Sequence, residues 1–381
     1  MAEGAGDDNV GLRTIAESKR SIIITLKFQV VANDNHGNLI TSPLSAQVVL
    51  AMAAYGAGGK TASQMRSALF IPSDDELGQS GYQSIIESFN VKVELRLANR
   101  IYTASQFVVK PGYKELTAGK FLSASQELDF NSQAAAATTI NTWCEEQTNK
   151  RIKDVISPDD VGPDTKLVLV NAVYFKGKWE NKFHPALTGD RPFHIDEKTT
   201  IDVPTMFIKQ KFRHGDLPEL KAKFIEIPIQ LDSFLSMIII LPNEVNGLRT
   251  VVDNLSQVNL RKSLQHAFPS EIELYLPKFK IESTLQLQET LEKLGMTDMF
   301  TDCANFSGIA DTPLKISKVI QKAFIEVNEE GSEAAAVTAV GMSYSGPSPT
   351  FVIDQPYLYT IYHRNTGISL FTGVVEQPNL A

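Results

Sequence analysis

The chain has 381 residues, 43% hydrophobic and 21% charged, which is enough apolar content for a large core and excludes a disordered chain. Its formal net charge is -8 and it has no dense Lys/Arg cluster, so nucleic acid, heparin and anionic membranes are poor partners. Two cysteines, Cys144 and Cys303, are too few for a disulfide-stapled scaffold, and no CxxC or His-rich spacing points to a metal or other cofactor.

The chain opens on MAEGAGDDNV, acidic and without the positive region of a signal peptide. That favours a cytoplasmic location and leaves secretion open if the sequence is a mature form. The apolar run Ser21–Val31 is interrupted by Lys27 and is too short to span a bilayer. Its β-branched residues read as a strand. From Thr41 to Met65, a cap-type Ser42 followed by Pro43 predicts a helix start, and Gly56, Gly58 and Gly59 suit a helix end. Residues Ala134–Ile156 have helical periodicity, with Ile140, Trp143, Ile152 and Val155 on one face.

Strand patterns follow. Lys166–Phe175 and Phe234–Pro242 are nearly all apolar, as strands buried on both faces should be. Glu271–Glu282 and Lys318–Gly331 alternate polar and apolar residues. YLYTIYHR and SLFTGVVEQP close the chain. Helices early and strands later make an α+β pattern. Length alone suggests two domains. The six histidines (36, 184, 194, 214, 266, 363) form no catalytic motif, so an enzyme is not expected.

One stretch fits no ordinary element. From Asn328 to Phe351 the sequence NEEGSEAAAVTAVGMSYSGPSPTF has no Lys or Arg and is rich in small residues. Numbered as a strand, Ser332, Ala334, Ala336, Thr338 and Val340 fall on one face, with Glu333, Ala335, Val337 and Ala339 on the other. After Gly331 the only charge is Glu333. Such side chains could slide between existing strands. About 14 added residues at about 1 kcal/mol per ladder bond would release on the order of 10 kcal/mol. A protein holding this segment outside its sheet is kinetically trapped.

These residues carry a family resemblance: the chain resembles a serpin. The hinge EEGSEAAAVT (Glu329, Glu330, Gly331, Ser332, Glu333, Ala334, Ala335, Ala336, Val337, Thr338) is similar to the family's hinge. LANRIY, INTWCEEQTNKRI, LVNAVYFKGKWENKF, LPKFKIE, LGMTDMF, ANFSGI and DQPYLYTI match further family segments in order, from about Ile15 onward. The resemblance implies one domain over 1–381, with three β-sheets, about nine helices and an exposed reactive-centre loop at about 329–355. It assigns Ser21–Val31 to a helix. It implies a shutter of Ser42, Ser45, Asn171 and Gln321, the last where the family often has histidine. Val337 stands where a smaller alanine is common.

The implied activity is suicide-substrate inhibition of a protease by a monomer. Ser345 stands fourteen residues after Gly331 and eleven before Pro356, and by family spacing both counts place the reactive bond at Ser345-Gly346. Met342, Ser343 and Tyr344 flank it. No Lys or Arg occurs from Gly331 to Gln355, which excludes trypsin-like targets. Tyr344 before a small Ser345 favours papain-like cysteine proteases, with chymotrypsin- or elastase-like serine proteases as the alternative and a non-inhibitory carrier as a third reading.

Overall fold

In the computed structural model, residues 37–90, 94–229, 234–330 and 349–379 are described. They form, in chain order, β1 (Leu39–Thr41), α1 (Pro43–Tyr55), α2 (Gly59–Leu69), α3 (Asp75–Asn90), β2 (Glu94–Ala104), α4 (Pro111–Lys120), β3 (Gln126–Leu128) and α5 (Gln133–Gln147). Then come β4 (Leu167–Lys176), β5 (Gly189–His194), β6 (Thr200–Leu217), β7 (Ala222–Ile229), β8 (Leu235–Pro242), α6 (Leu248–Asn254) and α7 (Leu260–His266). The chain closes with β9 (Pro269–Pro277), β10 (Phe279–Gln286), α8 (Gln288–Lys293), β11 (Ile316–Val327), β12 (Thr350–Val352), β13 (Tyr357–His363) and β14 (Ser369–Val375). The run Ser21–Val31 lies outside the described residues. The α+β class expected from the pattern is the one observed, with eight α-helices among the described residues, none long and apolar enough to cross a membrane.

The chain gathers into two compact units. Of the described residues, one unit takes 41–174 and 283–324 and the other takes 37–40, 175–282 and 325–379, the divisions falling inside β1, β4, β10 and β11.

In the first unit, α1 begins as its sequence predicts: Ser42 is the N-cap, its hydroxyl accepting from Ser45 N, and Pro43 occupies the first turn. Gly56 ends the helix, and a Cβ there would collide with the Ile309 side chain. The five-stranded sheet has the order β10-β11-β4-β2-β3. Its middle strand β4 is buried on both faces except at Lys176, which explains the unbroken apolar run LVLVNAVYF. Helix α5 stops at Gln147, earlier than its periodicity suggests. Asn149, Lys150 and Asp154 turn left-handed with φ of 51°, 59° and 49°, so Ile152 and Val155 reach the core from an irregular segment.

In the second unit the sheet order is β1-β14-β13-β8-β7-β6-β9-β12, with β5 also paired to β6. Among the described residues the strands form two continuous sheets where three were expected, because β6 runs unbroken for 18 residues. It pairs with β5 from Thr200 to Thr205, with β9 from Thr205 to Arg213 and with β7 from Arg213 to Leu217. The run Glu271–Glu282, expected as one alternating strand, splits at Lys278 into β9 and β10, where its apolar positions shift phase from Leu276 to Phe279. Pro277 ends β9, and the Lys278 N–H turns to Pro204 O.

Candidate functional site

The four shutter candidates Ser42, Ser45, Asn171 and Gln321 meet in one buried polar network in the first unit, each at most 1% exposed. Gln321 uses both ends of its amide. Its Oε1 accepts from Thr41 Oγ1 at 2.6 Å and Ser42 N at 2.9 Å, while Nε2 donates to Ser42 O at 2.9 Å and Asn171 Oδ1 at 2.6 Å. Asn171 Nδ2 donates in turn to Ser45 Oγ and Asn99 Oδ1, and Ser45 Oγ donates to Asn99 Oδ1 at 3.2 Å. A neutral imidazole offers one donor and one acceptor, so the amide makes two more bonds than that ring could.

Asn171 lies on β4 and Gln321 on β11, hydrogen-bonded neighbours in the sheet. Among the described residues no strand lies between them, and the side-chain bond from Gln321 to Asn171 adds a tie across the pair. Buried polar groups of this kind are costly to separate, because each loses a partner away from water.

A second cluster, in the other unit, holds the chain just beyond β11. Trp179 Nε1 donates to Asn328 O at 2.7 Å, and Trp179 N donates to Glu330 O at 3.1 Å. The Glu329 carboxylate accepts from Thr188 Oγ1 at 2.8 Å and lies 2.9 Å from Lys278 Nζ. Burial works to raise its pKa, but hydrogen bonds from Lys278, its own backbone and Thr188, with the Lys278 charge, hold it below the ordinary value. Lys176 pairs with Glu330 at 2.8 Å. On the far side of the loop, Glu273 N donates to Pro349 O at 3.0 Å, and β12 runs parallel to β9 with Thr350 opposite Glu273. Lys223 Nζ sits 4.8 Å from the Phe351 ring centre. The chain is thus fastened immediately before residue 331 and immediately after residue 348.

Of the hinge candidates, Glu329 and Glu330 are placed by these bonds. Gly331, Ser332, Glu333, Ala334, Ala335, Ala336, Val337 and Thr338 lie outside the described residues, as do Met342, Ser343, Tyr344, Ser345 and Gly346. Sequence reasoning did not single out Asn99, Thr41, Trp179, Thr188 or Lys278. Asn99 left a trace, as a polar residue amid the apolar positions of LANRIY, but the others carry no local signature.

The family profile described as Serpin (serine protease inhibitor) matches residues 19–378. Alaserpin of Manduca sexta is 36% identical over 378 residues, covering 96% of this chain and 94% of its own length. The leukocyte elastase inhibitor of Bos taurus is 34% identical over 380 residues, covering 96% and 100%. The crystal structure of Serpin48 from Tenebrio molitor superposes with a TM-score of 0.84 at 32% identity, covering 100% of each chain.

Proposed function

The chain belongs to the serpin family of protease inhibitors, and from that premise we propose that it traps its target as a suicide substrate. The inhibitor works as a single-domain monomer over 1–381, with about 329–355 as its reactive-centre loop. A protease attacks Ser345-Gly346, and its nucleophile becomes acylated by Ser345. The hinge then enters the five-stranded sheet between β4 and β11, drawing the enzyme with it. Displacing the enzyme's oxyanion hole and catalytic pair by even a small distance stops deacylation.

The observation that carries this reading is the β4–β11 pair, adjacent in the sheet and tied by Gln321 and Asn171. A strand that enters there must break that tie, so the network acts as the latch of the sheet. The small, nearly uncharged hinge supports entry, since its inward face carries no charge from Ser332 to Val340.

For the target class, Tyr344 beside Ser345 suits papain-like cysteine proteases, which select at the position before the cut. A second reading, a chymotrypsin- or elastase-like serine protease, is supported by the Bos taurus relative's name, leukocyte elastase inhibitor. The test is incubation with papain, a cathepsin-L-like enzyme, chymotrypsin and elastase. Denaturing gels reveal covalent adducts, and mass spectrometry locates the cut. An adduct with the cysteine proteases and a cut after Ser345 is the expected result. Cleavage without any adduct would transfer the function to a carrier or storage role.

A further inference from the structure

The sequence contains one Asn-Gly pair, Asn246-Gly247, and the fold places it in the short turn that leads into α6. Asn246 is exposed, and its Nδ2 donates to Glu197 Oε1 at 2.9 Å. Glu197 stands 49 positions earlier, at the tip of the β5–β6 hairpin, so this bond ties the hairpin to the turn. The hairpin in turn grips the chain just beyond β12, where His194 N donates to Asp354 O at 2.7 Å.

Packing requires glycine at 247, because a Cβ there would collide with Pro242. The same lack of a Cβ leaves the Gly247 nitrogen open to the Asn246 side chain. Asn131-Ser132 is a matched pair that differs at this point. Asn131 is also exposed, and its Nδ2 also donates to a carboxylate, Asp129 Oδ1 at 2.8 Å. Ser132 N is held in a turn by Asp129 O at 3.2 Å, as Gly247 N is by Glu244 O at 2.9 Å. Ser132, however, carries a Cβ beside its nitrogen.

We propose that Asn246 is a site of spontaneous deamidation, and that the reaction releases the β5–β6 hairpin from the turn before α6. The Gly247 nitrogen attacks Asn246 Cγ, and the new C–N bond closes a succinimide ring. The Cγ–Nδ2 bond breaks, and ammonia leaves with the Gly247 proton. Water then opens either carbonyl of the ring, giving aspartate or isoaspartate. Both products exchange the Nδ2 donor for a carboxylate, which has no proton to donate to Glu197 and repels it. The hairpin tip thereby loses its tie.

The test is ageing of the full chain in mildly alkaline buffer at physiological temperature, followed by peptide mapping with mass spectrometry. Asn246 should convert at least about tenfold faster than Asn131, a barrier difference of about 1.4 kcal/mol, and yield both aspartate and isoaspartate. Equal rates at the two positions, or an intact Asn246 after prolonged ageing, would overturn the site. Asn246→Asp, an exposed substitution that reproduces one product, tests the consequence by hydrogen–deuterium exchange. The N–H of Ile195, which donates to Thr199 O at 2.9 Å, and that of His194 should exchange several-fold faster than in the wild type. Exchange unchanged by Asn246→Asp would overturn the release of the hairpin. Asn246→Gln, which keeps an amide but closes the ring far less readily, should stay unconverted under the same ageing; conversion there at the wild-type rate would also overturn the site.

Discussion

Replacing Gln321 by leucine keeps the side chain's approximate bulk and deletes both ends of its amide. Four buried partners then lose a bond: Thr41 Oγ1, Ser42 N, Ser42 O and Asn171 Oδ1. Each buried group left unsatisfied costs about 1–3 kcal/mol, although rotation of Thr41 and Asn171 toward other acceptors and donors recovers part of this. A net loss of about 4 kcal/mol is expected. An unfolding entropy of about 2.1 cal/mol/K per residue gives about 0.8 kcal/mol/K for the whole chain, so the midpoint should fall by about 5 °C. The assay is thermal and urea unfolding of the purified variant, followed by circular dichroism, beside Thr41→Ala, which removes one of the four bonds and should cost about 1 kcal/mol. The variant should also open its sheet more readily and convert spontaneously to an inactive inserted form. A loss below about 1 kcal/mol in Gln321→Leu would show that the network does not hold the sheet as the proposed latch requires, whatever its geometry.

The remaining predictions concern charge and the loop. Glu329, its pKa lowered in the fold, contributes stability that is present above the unfolded carboxyl's value of about 4.3 and is lost as pH falls through the folded value. Glu329→Gln should therefore cost about 1–3 kcal/mol at pH 7, with the gap to wild type closing in acid; a gap independent of pH would refute the assignment. His363 acts in the same direction but over a higher pH window, because here it is the neutral form that the fold favours. Burial, and then the Arg364 charge, push its imidazole down to about 4, so the unfolded chain takes up a proton first as pH falls below about 6.5. Stability is lost between those two values, and His363→Gln should remove roughly 2–3 kcal/mol of that loss in unfolding measured from pH 7 to pH 4. Ala336→Arg places a charge on the inserting face at a cost of several kcal/mol and should convert inhibitor to substrate; an unchanged yield of covalent complex would mean the faces are misassigned. Ser345→Arg should confer trypsin inhibition, and an inert variant would show that the reactive bond lies elsewhere.

Much of the fold was legible because burial leaves a periodic mark. The apolar runs of β4 and β8 announced strands covered on both faces, and Ser42-Pro43 and Gly56 marked the two ends of α1. Local pattern failed where a run read as one element crosses a change of partner. In Glu271–Glu282 the apolar positions shift phase at Pro277-Lys278, from Ile272, Leu274 and Leu276 to Phe279 and Ile281, where β9 gives way to β10 in a different sheet. The period of α5 likewise continues past Gln147 because Ile152 and Val155 are buried by the segment that follows, not by the helix.

Sequence by itself determined the α+β class, the family and the mild chemistry of the hinge, since those depend on residue type, order and spacing along the chain. Only the tertiary structure decided who holds whom. Gln321 reaches Ser42 across 279 positions of sequence, and Glu329 is held by Lys278 and Thr188. Such partnerships carry no local period, because a hydrogen bond between distant segments depends on where folding brings two side chains together.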